Sequence, residues 1–454
     1  MSTGGLGRGV GVIGAGYVGL TLSVFLASKG VKTICVERDG DKVRKIMDGV
    51  SPIHEQGLPE LLQHVVRDGV LEARDEIGDM LERVDIVFIT VGTPTGTDGV
   101  PDLSQVEEAS RQIGEAMPTR RGATPLIVVK STVPPGTTWH VVRPLIEEAS
   151  GRTCGEEFHL CVNPEFLREG SALQDTMNPD RIVIGAKHGE AAERLKKFYE
   201  ALYHPSKIPT LVTTPTNAEL IKLATNAFLA LKISFINLIS QVCEATEDGD
   251  VGVVAEGLGL DPRIGPLFLR AGLGFGGSCL PKDLRSLRWF AARLGVDTLL
   301  FEAIIGINRA QRLRIVEKAE SMLGGLSGKR VAVLGLAFKP GTDDVRESAS
   351  IDIIRELLAR GAEVRVHDPA ALENARRVLG EGVTYCSELY ECLDSADLAI
   401  IATEWPEYTD PDPSTIKSLM RKPLIIDGRR VLNTRRLLEA GIRIHTVGLY
   451  SPLA

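Results

Sequence analysis

Short apolar runs punctuate the first part of the chain, at Gly9–Ile13, Thr33–Val36, Asp85–Val91, Leu126–Lys130, Leu160–Val162 and Arg181–Ile184. Apolar runs of this kind predict strands, and the stretches between them carry helical patterns, beginning with Val18–Lys29. Strands alternating with helices predict a parallel, doubly wound sheet. The pattern changes near Pro215. Neither Pro nor Gly occurs from Ala218 to Glu247, and Leu220, Leu223, Ala224, Ala227, Phe228, Leu231, Phe235, Leu238, Ile239 and Val242 recur at helical spacing. One long helix is expected there. Its apolar face is too wide for a single partner surface, so it is expected to bridge two domains and to contribute to a subunit interface. A second α/β unit begins near Gly328, with strands at Val331–Leu334, Glu363–His367, Leu398–Ala402 and Leu424–Ile426 and a helix at Ile351–Ala359.

Composition agrees with a multidomain globular protein: 454 residues, 43% hydrophobic and 25% charged. The formal net charge of −8 leaves no basic footprint for nucleic acid, so an anionic substrate must be held by local groups. Cys35, Cys154, Cys161, Cys243, Cys279, Cys386 and Cys392 are odd in number and scattered without metal-ligand spacing. They predict a reducing compartment, no disulfide framework and no metal site. Met1–Arg8 is Gly-rich and unlike a signal peptide, and no continuous run of 18 apolar residues occurs. A cytoplasmic protein without a membrane span is expected.

Gly14, Gly16 and Gly19 form G-x-G-x-x-G between the first strand and first helix. The first glycine permits a tight turn, the second lets backbone approach a pyrophosphate, and the third allows close helix–strand packing. Glu37, at the end of the second strand, is placed to accept from adenosine ribose hydroxyls, favouring NAD over NADP, although Arg38 follows it directly. The run VAVLGLAFKPGTDD echoes GVIGAGYVG without the later glycines, a degenerate duplication of fold. The expected fold is therefore α/β, with two Rossmann-like doubly wound domains joined by a long central helix. The expected divisions are an NAD-binding domain over 1–210, a central helical dimerisation region over 211–310 and a second Rossmann-like domain over 311–454.

Several runs carry candidate chemistry. Cys279 lies in GFGGSCLPKD, where small residues let backbone lie against a ligand and Lys282 favours a thiolate; the same loop also fits a buried structural cysteine. Lys222 and Asn226, four residues apart, project from one helix face, and among apolar neighbours Lys222 is either snorkelling or catalytic. Glu165 and Glu169 in NPEFLREG are either paired acids acting on water or a solvated loop. Ser131–Thr138 offers hydroxyls at a strand end, where ligands dock in open α/β sheets.

Taken together, GVIGAGYVGL, SPIHEQGLPELL, KSTVPPGTT, NPEFLREGSALQD, NPDRIVIG, AELIKLATNAFLALKISFINLI, RIGPLFLRAGLGFGGSCLPKDL, LGLAFKPGTDDVRES and DGRRVLN resemble the UDP-glucose/GDP-mannose dehydrogenase family, in family order and over nearly the whole chain. The resemblance implies a four-electron oxidation of a nucleotide sugar at C6, with NAD as oxidant and Cys279 carrying a thiohemiacetal and then a thioester. It implies that Lys222 and Asn226 stabilise oxyanions at C6, Glu165 assists hydrolysis as general base, and Thr132 and Asp283 position a water. It implies a cofactor site including Gly14, Gly16, Tyr17, Val18, Gly19, Glu37, Lys42, Thr93, Thr132, Glu169, Lys282 and Arg346. The sugar nucleotide would meet Glu165, Phe166, Leu167, Arg168, Lys222, Asn226, Phe275, Gly276, Phe338, Lys339 and Arg430. Arg263 resembles the arginine that members contribute across a subunit interface, so a homodimer or higher homo-oligomer is expected.

Ser278 before the cysteine and Lys282 after it resemble the members acting on UDP-glucose, as do RIGPLFL, NPDR and DGRR. LREG and GTDD also resemble GDP-mannose enzymes, so GDP-mannose and UDP-N-acetylhexosamines remain alternatives. Two other readings compete: a two-electron dehydrogenase of similar architecture, which leaves Cys279 and the C-terminal unit without work, and an inactive relative, which would be expected to lack the cysteine or lysine. Glu37 departs from the family's more frequent Asp.

Overall fold

The computed structural model describes residues 7–118 and 124–451, so most of the Met1–Arg8 extension lies outside the described residues. The chain packs as two compact units, one reaching to Thr225 and taking in Arg285–Leu294, the other holding Asn226–Leu284 and the residues from Gly295 on. Residues of the expected central region, 211–310, are shared between them.

The first unit is built on strands β1 (Val10–Ile13), β2 (Thr33–Val36), β3 (Leu71–Arg74), β4 (Ile86–Ile89), β5 (Leu126–Val129), β6 (His159–Val162), β7 (Ile182–Ala186) and β8 (Thr210–Thr213). Their order in one sheet is β3-β2-β1-β4-β5-β6-β7-β8. The first six follow the order of a dinucleotide-binding doubly wound sheet, with the switch point between β1 and β4. Residues of β1, β2, β4, β5 and β6 are buried throughout, which is why those strands read as unbroken apolar runs. The sheet departs from the all-parallel expectation at one place: β6 and β7 are antiparallel. The connection between them, 163–181, carries NPEFLREG and stays at the C-terminal edge of β6 instead of crossing the sheet. Strands β3 and β8 were not anticipated. Both lie at sheet edges; β3 buries only alternate residues, and β8 leaves Leu211 and Val212 half in solvent, so neither shows a buried run.

Helix α1 (Tyr17–Ser28) follows β1, and α2 (Pro215–Ala245) is the expected long helix. By length and composition alone α2 is apolar enough to cross a membrane, with an 18-residue window of mean hydropathy 1.5. Its buried polar side chains mark it as a packed core helix instead. The Ser234 hydroxyl donates to the Ile304 carbonyl at 3.0 Å, and the Asn237 side-chain oxygen accepts from the Gly272 N–H at 2.8 Å.

The second unit carries β9 (Arg330–Leu334), β10 (Glu363–His367), β11 (Thr384–Tyr385), β12 (Leu398–Ile401), β13 (Leu424–Asp427) and β14 (Arg443–Thr446). The order β11-β10-β9-β12-β13-β14 repeats that of the first six strands, and every pair is parallel. The duplication extends to the turn after the first strand. Gly14 (φ +102°) donates to the Val36 carbonyl at 2.7 Å, and Gly335 (φ +100°) donates to the His367 carbonyl at 2.8 Å. Beyond Gly335 the two turns part: Leu336 and Ala337 are buried, and the Asp368 carboxylate accepts both their N–H groups at 2.7 and 3.0 Å. Three further helices matter below: α3 (Leu280–Arg293), α4 (Leu299–Leu323) and α5 (Ala349–Ala359). None of the seven cysteines forms a disulfide.

His445 on β14 is buried, and burial, with Lys318 and Arg314 adding repulsion, pulls its pKa down to about 4. The folded state therefore keeps it neutral while the unfolded chain takes up a proton, so stability is lost as pH falls from the unfolded value towards 4. The loss at pH 5 is about 2 kcal/mol. A His445→Gln variant is expected to lose less thermal stability between pH 7 and pH 5 than the parent; equal pH slopes in calorimetry would remove His445 as the cause.

Candidate active site

The three fingerprint glycines are required for different reasons. Gly14 needs its positive φ, and a Cβ there would stand 3.0 Å from the Thr90 carbonyl oxygen. A Cβ at Gly19 would collide with the Gly14 carbonyl oxygen, since α1 packs directly on the turn. Gly16 is different: its φ is −79°, which any residue adopts, and a Cβ there would meet nothing within 4 Å. The protein itself does not require glycine at 16, and the bare backbone there leaves room for a ligand against the start of α1. The Glu37 carboxylate sits beside this turn, accepting from the Ala15 N–H at 3.0 Å and the Asp39 N–H at 3.1 Å. Tyr17 and Val18 are half-buried in the first turn of α1, and Lys42 is half-buried on the helix Gly40–Met47. Thr93 is buried, and its hydroxyl donates to the Thr132 carbonyl at 2.7 Å, joining the loops after β4 and β5. These features fit a dinucleotide at the C-terminal edge of the first sheet. Gly16→Val is expected to leave thermal stability unchanged while raising KM for NAD+ about tenfold or more; an unchanged KM would contradict the assignment.

Glu165 and Lys222 form a buried ion pair at 2.9 Å, with side chains 7% and 4% exposed. The second Glu165 oxygen accepts from the Leu167 N–H at 2.6 Å, which folds the NPEF loop around the carboxylate. Phe166 lies against two cations, with Arg181 3.9 Å and Lys222 5.6 Å from its ring centre. Arg168 is exposed and paired with Asp175 at 2.6 Å, while Leu167 and Glu169 are half-buried. The sequence left Lys222 between snorkelling and a chemical role. A fully enclosed ammonium paired with a carboxylate is not snorkelling.

Cys279 immediately precedes α3, a helix of 14 residues, and its carbonyl accepts the Asp283 N–H at 2.9 Å. The thiol thus stands at a helix N-terminus, where unsatisfied N–H groups favour negative charge. Ser278 Oγ lies 3.4 Å from its sulfur. One turn into the helix, Asp283 is 1% exposed, its two oxygens taken by Lys282 Nζ at 2.7 Å and Asn226 Nδ2 at 2.6 Å. The glycine-rich approach is packed tightly. Gly277 (φ +82°) lies against the Phe338 ring, where a Cβ would come within 2.7 Å, and its N–H donates to the Arg346 carbonyl. Phe275 is buried, and Asn308 on α4 clasps its backbone, donating to the carbonyl at 3.0 Å and accepting from the N–H at 2.8 Å. Gly276 is half-buried beside the Glu347 backbone.

The remaining expected residues are also in the second unit. Lys339 lies over the Phe338 ring at 5.6 Å. Arg346 chelates Asp344 at 2.8 Å, and Arg430, at φ +57°, bonds Asp250 at 2.5 Å and the Val447 carbonyl at 2.7 Å. Arg263 is 87% exposed and paired with Asp261. Among the described residues no cluster of three His, Cys, Asp or Glu side chains suits a metal.

Sequence reasoning missed three residues of this neighbourhood. Lys130, at the end of β5, donates to Asn163 Oδ1 at 3.0 Å. Glu219 on α2 accepts from the Gly136 and Thr138 N–H groups at 2.5 and 2.8 Å, fixing the STVPPGTT loop, and its burial raises its pKa to about 6. Helical spacing links Glu219 to Lys222, but only the fold brings distant Lys130 and Asn163 together.

Known proteins resemble the chain along its whole length. Residues 8–203 match the NAD binding domain of the UDP-glucose/GDP-mannose dehydrogenase family, 216–310 its central domain and 332–434 its UDP binding domain. The UDP-glucose 6-dehydrogenase TuaD of Bacillus subtilis is 42% identical over 97% of this chain and 93% of its own. The UDP-glucose 6-dehydrogenase AglM of Haloferax volcanii is 41% identical over 94% of this chain and 98% of its own. The solved UDP-glucose dehydrogenase of the hyperthermophilic archaeon Pyrobaculum islandicum superposes with a TM-score of 0.90 at 41% identity, covering 99% of this chain and 100% of that one.

Proposed function

The chain belongs to the UDP-glucose/GDP-mannose dehydrogenase family, and from that premise we propose that it oxidises UDP-glucose at C6 to UDP-glucuronate, with NAD as cofactor. The observation that carries the substrate is similarity of about 40% identity, end to end, to UDP-glucose 6-dehydrogenases. Gly14, Gly16, Gly19 and Glu37, with Tyr17, Val18, Lys42, Thr93, Thr132, Glu169, Lys282 and Arg346, would hold NAD. When bound it supplies a hydride acceptor, and two equivalents account for the four electrons between a primary alcohol and a carboxylate.

The chain's own residues supply the rest. Once C6 is an aldehyde, Cys279 Sγ adds to its carbon and a proton reaches the oxygen, giving a thiohemiacetal. Loss of the C6 hydride and the hydroxyl proton leaves a thioester. Water then adds, the C–S bond breaks, and carboxylate and thiol are released. The position of Cys279 at the start of α3 supports this role, since the helix end favours a thiolate. Lys222 and Asn226 stabilise negative charge on the C6 oxygen. Glu165 takes a proton from the hydrolytic water, and Thr132 and Asp283 orient water. Phe166, Leu167, Arg168, Phe275, Gly276, Phe338, Lys339 and Arg430 contact the sugar nucleotide. The exposed apolar residues Phe228, Phe235, Leu238 and Val242 on α2 support homodimerisation through that helix, with Arg263 reaching the second copy.

NADH formation across UDP-glucose, GDP-mannose and UDP-N-acetylated sugars tests the substrate. UDP-glucose is expected to give the highest kcat/KM; a strong preference for another sugar overturns the assignment.

A further inference from the structure

Strands β5 and β6 run in parallel register, pairing Val129 with Val162, so the next residues, Lys130 and Asn163, emerge side by side at the strand ends. Both polar atoms of the Asn163 side chain are engaged. Its side-chain oxygen accepts from Lys130 Nζ at 3.0 Å and from the Tyr199 hydroxyl at 2.5 Å, and its amide nitrogen donates to the Val183 carbonyl at 2.8 Å. Only Pro164 separates this anchored side chain from Glu165, which pairs with Lys222. Lys130, Asn163, Glu165 and Phe166 line one cavity of about 130 Å³, room for several water molecules.

We propose that Lys130 is a positioning residue of the acid-forming reaction, fixing the strand end that carries Glu165 and placing a second positive charge behind the Glu165–Lys222 pair. The inference rests on the functional reading above. Burial lowers the Lys130 pKa to about 8, Glu165 attracting its proton and Lys222 opposing it. The repulsion between the two ammonium groups is mutual, so charged Lys130 also opposes the charge on Lys222. The other groups around it do not replace that charge. Tyr199 is a buried phenol and Tyr203 a half-buried one, and desolvation raises the pKa of both. On the cavity wall Arg168 is committed to Asp175, and Arg181, beside Asp180, lies on the Phe166 ring.

The test compares Lys130→Met and Lys130→Arg with the parent chain. Lys130→Met is expected to lower kcat with UDP-glucose about tenfold, with a burst of NADH ahead of slow acid release and KM changed less than about twofold. Lys130→Arg is expected to restore most of kcat and to carry activity to higher pH, because guanidinium stays charged. Equal losses in both variants with an unmoved pH profile would mean a merely structural residue and overturn the proposal. NMR titration of the Lys222 side chain in chain carrying ¹³C-labelled lysine gives a readout independent of turnover. Its midpoint is expected to rise in Lys130→Met, and an unmoved midpoint overturns the proposal even if UDP-glucose proves the wrong substrate. A parent chain that makes no acid from UDP-glucose fails the functional reading instead.

Discussion

Cys279→Ala is expected to abolish release of UDP-glucuronate, a loss of at least about a thousandfold in acid-forming turnover. The size follows from the role. An aldehyde has no good route to a second hydride loss until a nucleophile makes it tetrahedral, and the proposed mechanism gives that part to the thiol at the start of α3. Alanine at a helix start costs about 1 kcal/mol against a capping side chain, and the side chain lost is half-buried rather than part of the core. Folding should therefore survive, which a melting curve checks. Chromatography of the products then reads the effect. Acid formed at more than about a hundredth of the parent rate would mean that another group carries the acyl chemistry.

Lys222→Met is expected to lower kcat about a hundred- to a thousandfold, the cost of removing one preorganised donor from a developing oxyanion. The ammonium is buried and held 2.9 Å from Glu165. In the proposed mechanism its removal strips the oxyanion of its cation, and it also leaves a buried carboxylate with fewer partners. Met keeps the volume and apolar contacts on α2, so the comparison isolates the charge. Steady-state kcat by NADH absorbance is the measurement. A kcat within about tenfold of the parent would make Lys222 a structural partner of Glu165 and no more.

The interior of the fold was legible because burial on both faces leaves an unbroken apolar record, as in Val10–Ile13 and Leu126–Val129. Edge strands leave none: Leu71–Arg74 alternates buried with part-exposed residues, and Thr210–Thr213 turns its two aliphatic residues outward. The antiparallel β6–β7 pairing was illegible for another reason, since strand direction depends on where a connection runs and not on the residues in the strand. The fingerprint turn could be read from spacing alone, and the structure separates its parts: the fold needs glycine at 14 and 19, while a Cβ at 16 would meet nothing. For Cys279 the loop composition left a structural cysteine as likely as a nucleophile, and the missing fact was its seat at a helix start. Lys130 and Asn163 lie 33 residues apart, and no local periodicity links them.

We propose that one chain carries out two successive oxidations on one carbon. An end-point assay with limiting UDP-glucose and excess NAD+ measures it directly. Two NADH per UDP-glucose consumed are expected, with UDP-glucuronate the sole sugar product. One NADH per sugar, with an aldehyde or ketone accumulating, would contradict it.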